Sequence, residues 1–212
     1  MGPSSWSRTS SIRPPCLRPP RWESRAPTTS NCEPFRNFRA NSNQFYLLSV
    51  DEGRLNDQTV CCVFRVNVSN EGKHYATLVN LYVLGRQAET NTFHRQVIDL
   101  KKIIRKFNPL EVVIDTNGLG IGFADEMIRE QVDEFGNIYE PLGFKNDEDF
   151  LKVQPKDARC ILYGIKANGP LNSKIHGNAY TRLNGGMVRF LIKEQEAKNA
   201  LLSTKVGQKM TV

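Results

Sequence analysis

The chain has 212 residues, 39% of them apolar, enough for one core and consistent with one domain plus a tail. No apolar run approaches the roughly 18 residues that a membrane helix needs, so the sequence predicts no membrane partner. The formal charge of +7 is uneven. Residues 1–43 hold seven arginines against Glu23 and Glu33, leaving only +2 for the remainder, so total charge is a weak argument for a nucleic-acid partner.

Residues 1–43 also carry seven of the eleven prolines and many serines, with no apolar periodicity. Such a stretch buries too little apolar surface to offset its ordering entropy and reads as a disordered basic tail. The fold is expected to begin near Gln44. The five cysteines, Cys16, Cys32, Cys61, Cys62 and Cys160, form no CxxC pair. An odd, scattered set argues against a disulfide framework and a zinc site, and fits a reducing cytoplasm.

Phe45–Asp51 reads as a buried strand ending in an acid. Thr59–Val68, rich in β-branched residues, reads as its neighbour, and Glu52–Asp57 between them suits a hairpin. Ser69–Lys73 is a second turn and Tyr75–Leu84 a third strand, which completes an antiparallel meander. The period then becomes helical: Val97, Leu100, Ile104 and Phe107 recur on one face, with a cap among Thr90, Asn91 and Thr92 and a stop at Asn108-Pro109. Glu111–Asp115 is short and almost wholly apolar, as a strand buried on both faces and paired in parallel would be. A helix over residues 123–131 follows the glycine run 118–122. Residues 133–157 read as polar and irregular. Cys160–Ile165 is expected to be a strand, Leu171–Leu183 a helix, Val188–Ile192 a last strand and Glu194–Leu202 a last helix.

Asp51 ends the first strand and Asp115 the strand after the first helix; this order of elements resembles the ribonuclease H-like one, in which those two strands are expected to lie side by side. Crowded carboxylates repel one another unless a cation sits between them. Mg²⁺ takes a few carboxylates and keeps water and phosphate oxygens as its other ligands. Either acid alone is an ordinary strand-end residue; two at paired places suggest a site for phosphodiester hydrolysis. Glu52, next along the strand from Asp51, is expected to face away from it. Lys166, Lys174, Arg182 and Lys193 lie around the later elements and are candidate phosphate contacts. His74, His94 and His176 are isolated. GLGIG lacks the last glycine of a dinucleotide-binding loop, which argues against such a site.

VDEGRLNDQTVCCVF (50–64) resembles the first acidic motif of the nuclease domain of phage terminase large subunits, with Asp51 and Asp57 at its acid positions. EVVIDTNGLGIGFADEMI (111–128) resembles the second, with Asp115 as metal ligand. Residues 165–210 resemble the stretch that follows. The resemblance spans roughly residues 44–212. It implies a ribonuclease H-like α/β fold, a mixed sheet of an antiparallel three-strand meander plus parallel strands, flanked by helices. It further implies a two-ion (Mg²⁺ or Mn²⁺) endonuclease acting on double-stranded DNA during viral genome packaging in the host cytoplasm, with the portal and the small terminase subunit as partners. Asp57 is then a further ligand or an acid behind the ligands. No GxxxxGK[ST] pattern occurs, so no packaging ATPase is included. The family's remaining metal-binding acid falls beyond the matched stretch, past Val212, and the chain reads as a partial nuclease domain. Two other readings stand beside it: a non-catalytic domain that binds DNA or packaging partners, and a sugar kinase or actin-like ATPase, whose phosphate loops also place Asp and Gly as in 51–53 and 115–118.

Overall fold

The computed structural model describes residues 43–53, 58–84, 92–118 and 120–190, together with Glu33 and Arg36. Strands β1 (Gln44–Asp51), β2 (Thr59–Val68) and β3 (His74–Leu84) form the expected meander. The β2–β3 turn closes through Ser69 and Lys73, and Gly72 supplies a φ of 73° that favours glycine there. Helix α1 (Phe93–Phe107) starts at Thr92, whose side chain accepts from the Arg95 amide. It ends at Asn108, in the left-handed region at φ 46°, whose N–H donates to the Ile104 carbonyl. Strand β4 (Glu111–Asp115) then runs parallel to β1.

Helix α2 (Gly120–Met127) begins three residues earlier than expected and ends four earlier. The span 133–157, expected to be irregular, is instead largely built. It contains most of a two-strand ribbon, β5 (Gln131–Val132) with β6 (Ile138–Tyr139), then β7 (Leu142–Phe144) and α3 (Glu148–Val153). Side chains do there what apolar periodicity does elsewhere. The Asp133 carboxylate accepts from the Phe135 and Asn137 amides, the Asn137 side chain and the Tyr139 hydroxyl. The Gln154 amide both accepts from Phe144 N–H and donates to its carbonyl, pairing an edge strand that is only three residues long. β8 (Arg159–Ile165), α4 (Gly169–Asn184) and β9 (Val188–Arg189) complete the described chain. The last predicted helix and most of the tail lie outside the described residues.

The main sheet has seven strands in the order β7-β8-β4-β1-β2-β3-β9. An antiparallel β3-β2-β1 meander continued in parallel by β4 and β8 is the ribonuclease H-like arrangement, a mixed sheet flanked by helices. α1 and α2 cover one face. Leu48, Val50, Val63, Val112, Ile114 and Leu162 meet Val97, Leu100, Ile104, Phe107, Phe123 and Met127 there, all buried. Within the stretch read as a tail, Glu33 is buried against the fold. Its N–H donates to the Val79 carbonyl, and its carboxylate takes the Tyr46 hydroxyl and Arg65. Arg36 donates its N–H to Lys106. The boundary near residue 44 is therefore crossed at two points, because a buried Tyr hydroxyl and an Arg on the sheet need an acid that the strands themselves do not supply.

Lys101 is 3% exposed on the inner side of α1, and its ammonium donates to the Arg129 and Glu140 carbonyls. Burial pushes its pKa down to about 8, against the pull of Glu140, Glu126 and Glu130. Between that value and lysine's ordinary one, the unfolded chain binds the proton that the fold has released. Stability is therefore expected to rise with pH across this window. Denaturant titrations from pH 8 upward check this: the rise should be smaller in Lys101→Met.

Candidate metal centre at the carboxyl edge of the sheet

Strands β1 and β4 pair in parallel with Val50 opposite Ile114. Asp51 and Asp115 are each one residue further on, so they stand side by side where both strands end. Val50 and Ile114 are buried under the helices. Strand alternation puts the two acids on the other face, where Asp51 is exposed and Asp115 half-buried. The Asn117 amide donates to Asp115 Oδ1 at 2.9 Å, and the Asn117 side chain donates to the Ala167 carbonyl at 3.1 Å. The loop after β4 is thus tied both to the acid and to the loop after β8, whose Ile165 is Asp115's other ladder neighbour.

Glu52 lies just past the end of β1 on the α2 side of the sheet, away from Asp51, as strand alternation expects. Its side chain turns in toward the start of α2, the helix that covers the face on which Val50 is buried. Its Oε2 lies 3.6 Å from where a Cβ on Gly120 would be. Its Oε1 is buried without a hydrogen-bond partner among the described residues. Burial pushes the Glu52 pKa up to about 8, against a bond to its own backbone, with the nearby charges of Asp115 and Asp51 adding to the rise. Among the described residues no lysine or arginine is ion-paired with Asp51, Glu52 or Asp115. Two neighbouring carboxylates, Asp51 and Asp115, without a cationic side chain could share a bound cation. Among the described residues no three His, Cys, Asp or Glu side chains are arranged to enclose an ion. The protein's share is two carboxylates at an open edge, which suits Mg²⁺ or Mn²⁺ more than a closed site would. Glu52→Gln keeps the shape and removes the cost of holding the buried carboxyl protonated at neutral pH. It is expected to raise the stability of the metal-free protein by about 2 kcal/mol, read from urea unfolding; a loss of stability would mean that the carboxylate has a partner.

Two solved structures are similar to the chain at low identity. The large terminase nuclease of the thermophilic phage G20c with bound magnesium is 15% identical, with a TM-score of 0.45 over 76% of this chain and 68% of that one. The same nuclease with bound cobalt is 14% identical, with a TM-score of 0.43 over 74% and 68%. No family model matches the chain, and no curated protein matches it.

The structure brings Asp51 and Asp115 together. Asp57 and Lys193 lie outside the described residues. Lys166, expected to be a phosphate contact, is engaged: its ammonium lies 3.1 Å from Asp147 and 3.6 Å from Asp149. Its hydrogen bond with Asp147 holds its pKa above lysine's usual range, while the same lysine holds the Asp147 carboxyl below its own, against the effect of burial. Asp147 in turn caps α3. Lys174 and Arg182 are both exposed on α4. His74 and His176 are exposed, and His94 is exposed 3.6 Å from Glu126. No helix among the described residues is long and apolar enough to cross a membrane.

Proposed function

We propose that this chain carries the nuclease domain of a phage terminase large subunit and hydrolyses double-stranded DNA with divalent metal ions during genome packaging. The observation that carries the reading is that Asp51 and Asp115 each follow the last paired residues, Val50 and Ile114, of two adjacent parallel strands, with no cationic side chain among the described residues ion-paired with them. The acidic motifs around both residues, and the resemblance of the stretch beyond, supply the family. In this reading the portal and the small terminase subunit are the partners, and packaging takes place in the host cytoplasm.

Asp51 and Asp115 would hold the ions, with Asp57 as a further acid from the β1–β2 connection. Bound divalent ions activate a water and stabilise the leaving oxygen of a phosphodiester. The chain's own residues prepare that site. The Asn117 amide fixes one oxygen of Asp115, leaving the other for a ligand. The β1 and β4 backbones are braced on both sides by β2 and β8, so the two carboxylates keep their spacing. Purified full-length chain with supercoiled plasmid and Mn²⁺ or Mg²⁺ is expected to nick and linearise it, and EDTA to stop the reaction. Ion binding without cleavage would favour a DNA-binding role instead.

A further inference from the structure

Between Asp157 and Glu194 the sequence holds no acid but six cations: Arg159, Lys166, Lys174, Arg182, Arg189 and Lys193. The remainder of the chain from residue 44 is net negative, because residues 44–212 total only +2. Charge that looks balanced over the fold is therefore segregated along it. Helix α4 occupies the middle of the acid-free stretch. None of its residues is buried, so the core does not explain its sequence.

Lys174, Asn178 and Arg182 are four residues apart and share one face of α4. They span about 12 Å, the rise of three to four nucleotides of one DNA strand. Among the described residues no carboxylate pairs with Lys174 or Arg182, whereas Lys166 just upstream is taken up by two. The exposed apolar residues of the helix, Ile175 and Tyr180, are five positions apart and on different faces, so they offer no seam for a partner helix. The root of α4 is fixed at the acidic edge. It begins four residues after Ile165, Asp115's ladder neighbour, and Asn117 bonds to the linker at Ala167. A cavity of about 650 Å³ opens at that root, between Lys166, Leu171 and Ile175 on one side and the acids Asp147, Glu148 and Asp149 on the other, so the basic face lies further along α4.

We propose that α4 seats the DNA, with Lys174, Asn178 and Arg182 lying along the phosphate backbone of the strand led to Asp51 and Asp115. The inference rests on the nuclease reading and names the element that holds its substrate. α4 has no buried side chain, so charge reversal on it leaves the fold intact. The test is fluorescence anisotropy of a labelled duplex with full-length protein in EDTA, which prevents cleavage. The doubly substituted Lys174→Glu/Arg182→Glu protein is compared with Lys106→Glu/Lys156→Glu. The latter makes the same charge change at exposed residues that precede β4 and β8, at the opposite edge of the sheet. The α4 pair is expected to weaken binding at least about tenfold and to reduce the slope of log affinity against log salt by about 2, with a much smaller effect from the control pair. Equal weakening by both pairs, or none from the α4 pair, overturns the proposal. If wild-type protein cleaves plasmid with Mn²⁺ while the α4 pair binds duplex unchanged, the assignment of α4 fails and the nuclease reading survives. If wild-type protein binds no duplex, both fail.

Discussion

Asp115→Asn is expected to lower metal-dependent plasmid cleavage by at least about 10³-fold, with little change in folding stability. A residue that merely orients a ligand typically costs 10- to 100-fold, so a loss of this size separates a ligand from a supporting acid. The fold should tolerate the change. The Asn side-chain oxygen can still accept from the Asn117 amide, as Asp115 Oδ1 does, and the residue is only half-buried at a strand end. Initial rates of plasmid nicking in Mn²⁺, with urea unfolding run in parallel, check both halves. Full activity in the variant would remove Asp115 from the chemistry.

Gly120→Ala is expected to cost about 3 kcal/mol or more and to impair cleavage as well. A Cβ at Gly120 would sit 1.9 Å from the Asp115 carbonyl oxygen and 2.9 Å from its carbon. Both are backbone atoms, so the clash cannot be relieved by a rotamer; α2 or the end of β4 must move. Either movement displaces Asp115 and the turn that packs Glu52. Gly118→Ala, two residues earlier, provides the contrast. That glycine has a φ of 54° but nothing within 4 Å of an added Cβ, so only backbone strain of about 1 kcal/mol is expected. Denaturant midpoints of the two variants should therefore separate clearly. Similar values would mean that close approach at Gly120 does not set the start of α2.

The parts of the fold with strong periodicity were legible in the sequence. Thr59–Val68 is predicted with its observed ends, because alternating β-branched residues bounded by turn residues leave little choice. The adjacency of Asp51 and Asp115 followed from matching the order of elements to a ribonuclease H-like sheet, in which those two strands are neighbours. The start of α2 was not legible, because the helix begins where a glycine allows contact with the preceding strand, and spacing carries no record of that contact. The region 131–154 was missed because single side chains hold it: Asp133 organises the β5–β6 turn, Gln154 completes β7, and Asn146 exchanges two bonds with Gly164. The direction of Glu52, away from Asp51, followed from alternation, but its burial against Gly120 did not, since spacing carries no record of that contact. The charge of the α4 region was visible but averaged away, since the acid-free stretch is balanced by acids elsewhere in the fold.

The central claim is that Asp51 and Asp115 together hold a divalent ion. Calorimetric titration of Mn²⁺ into the full-length protein, beside Asp51→Asn and Asp115→Asn, tests it most directly. The account predicts saturable binding by the wild type and at least about a tenfold loss of affinity in each variant. Wild-type affinity in both variants, or no binding by a folded wild-type protein, would contradict it.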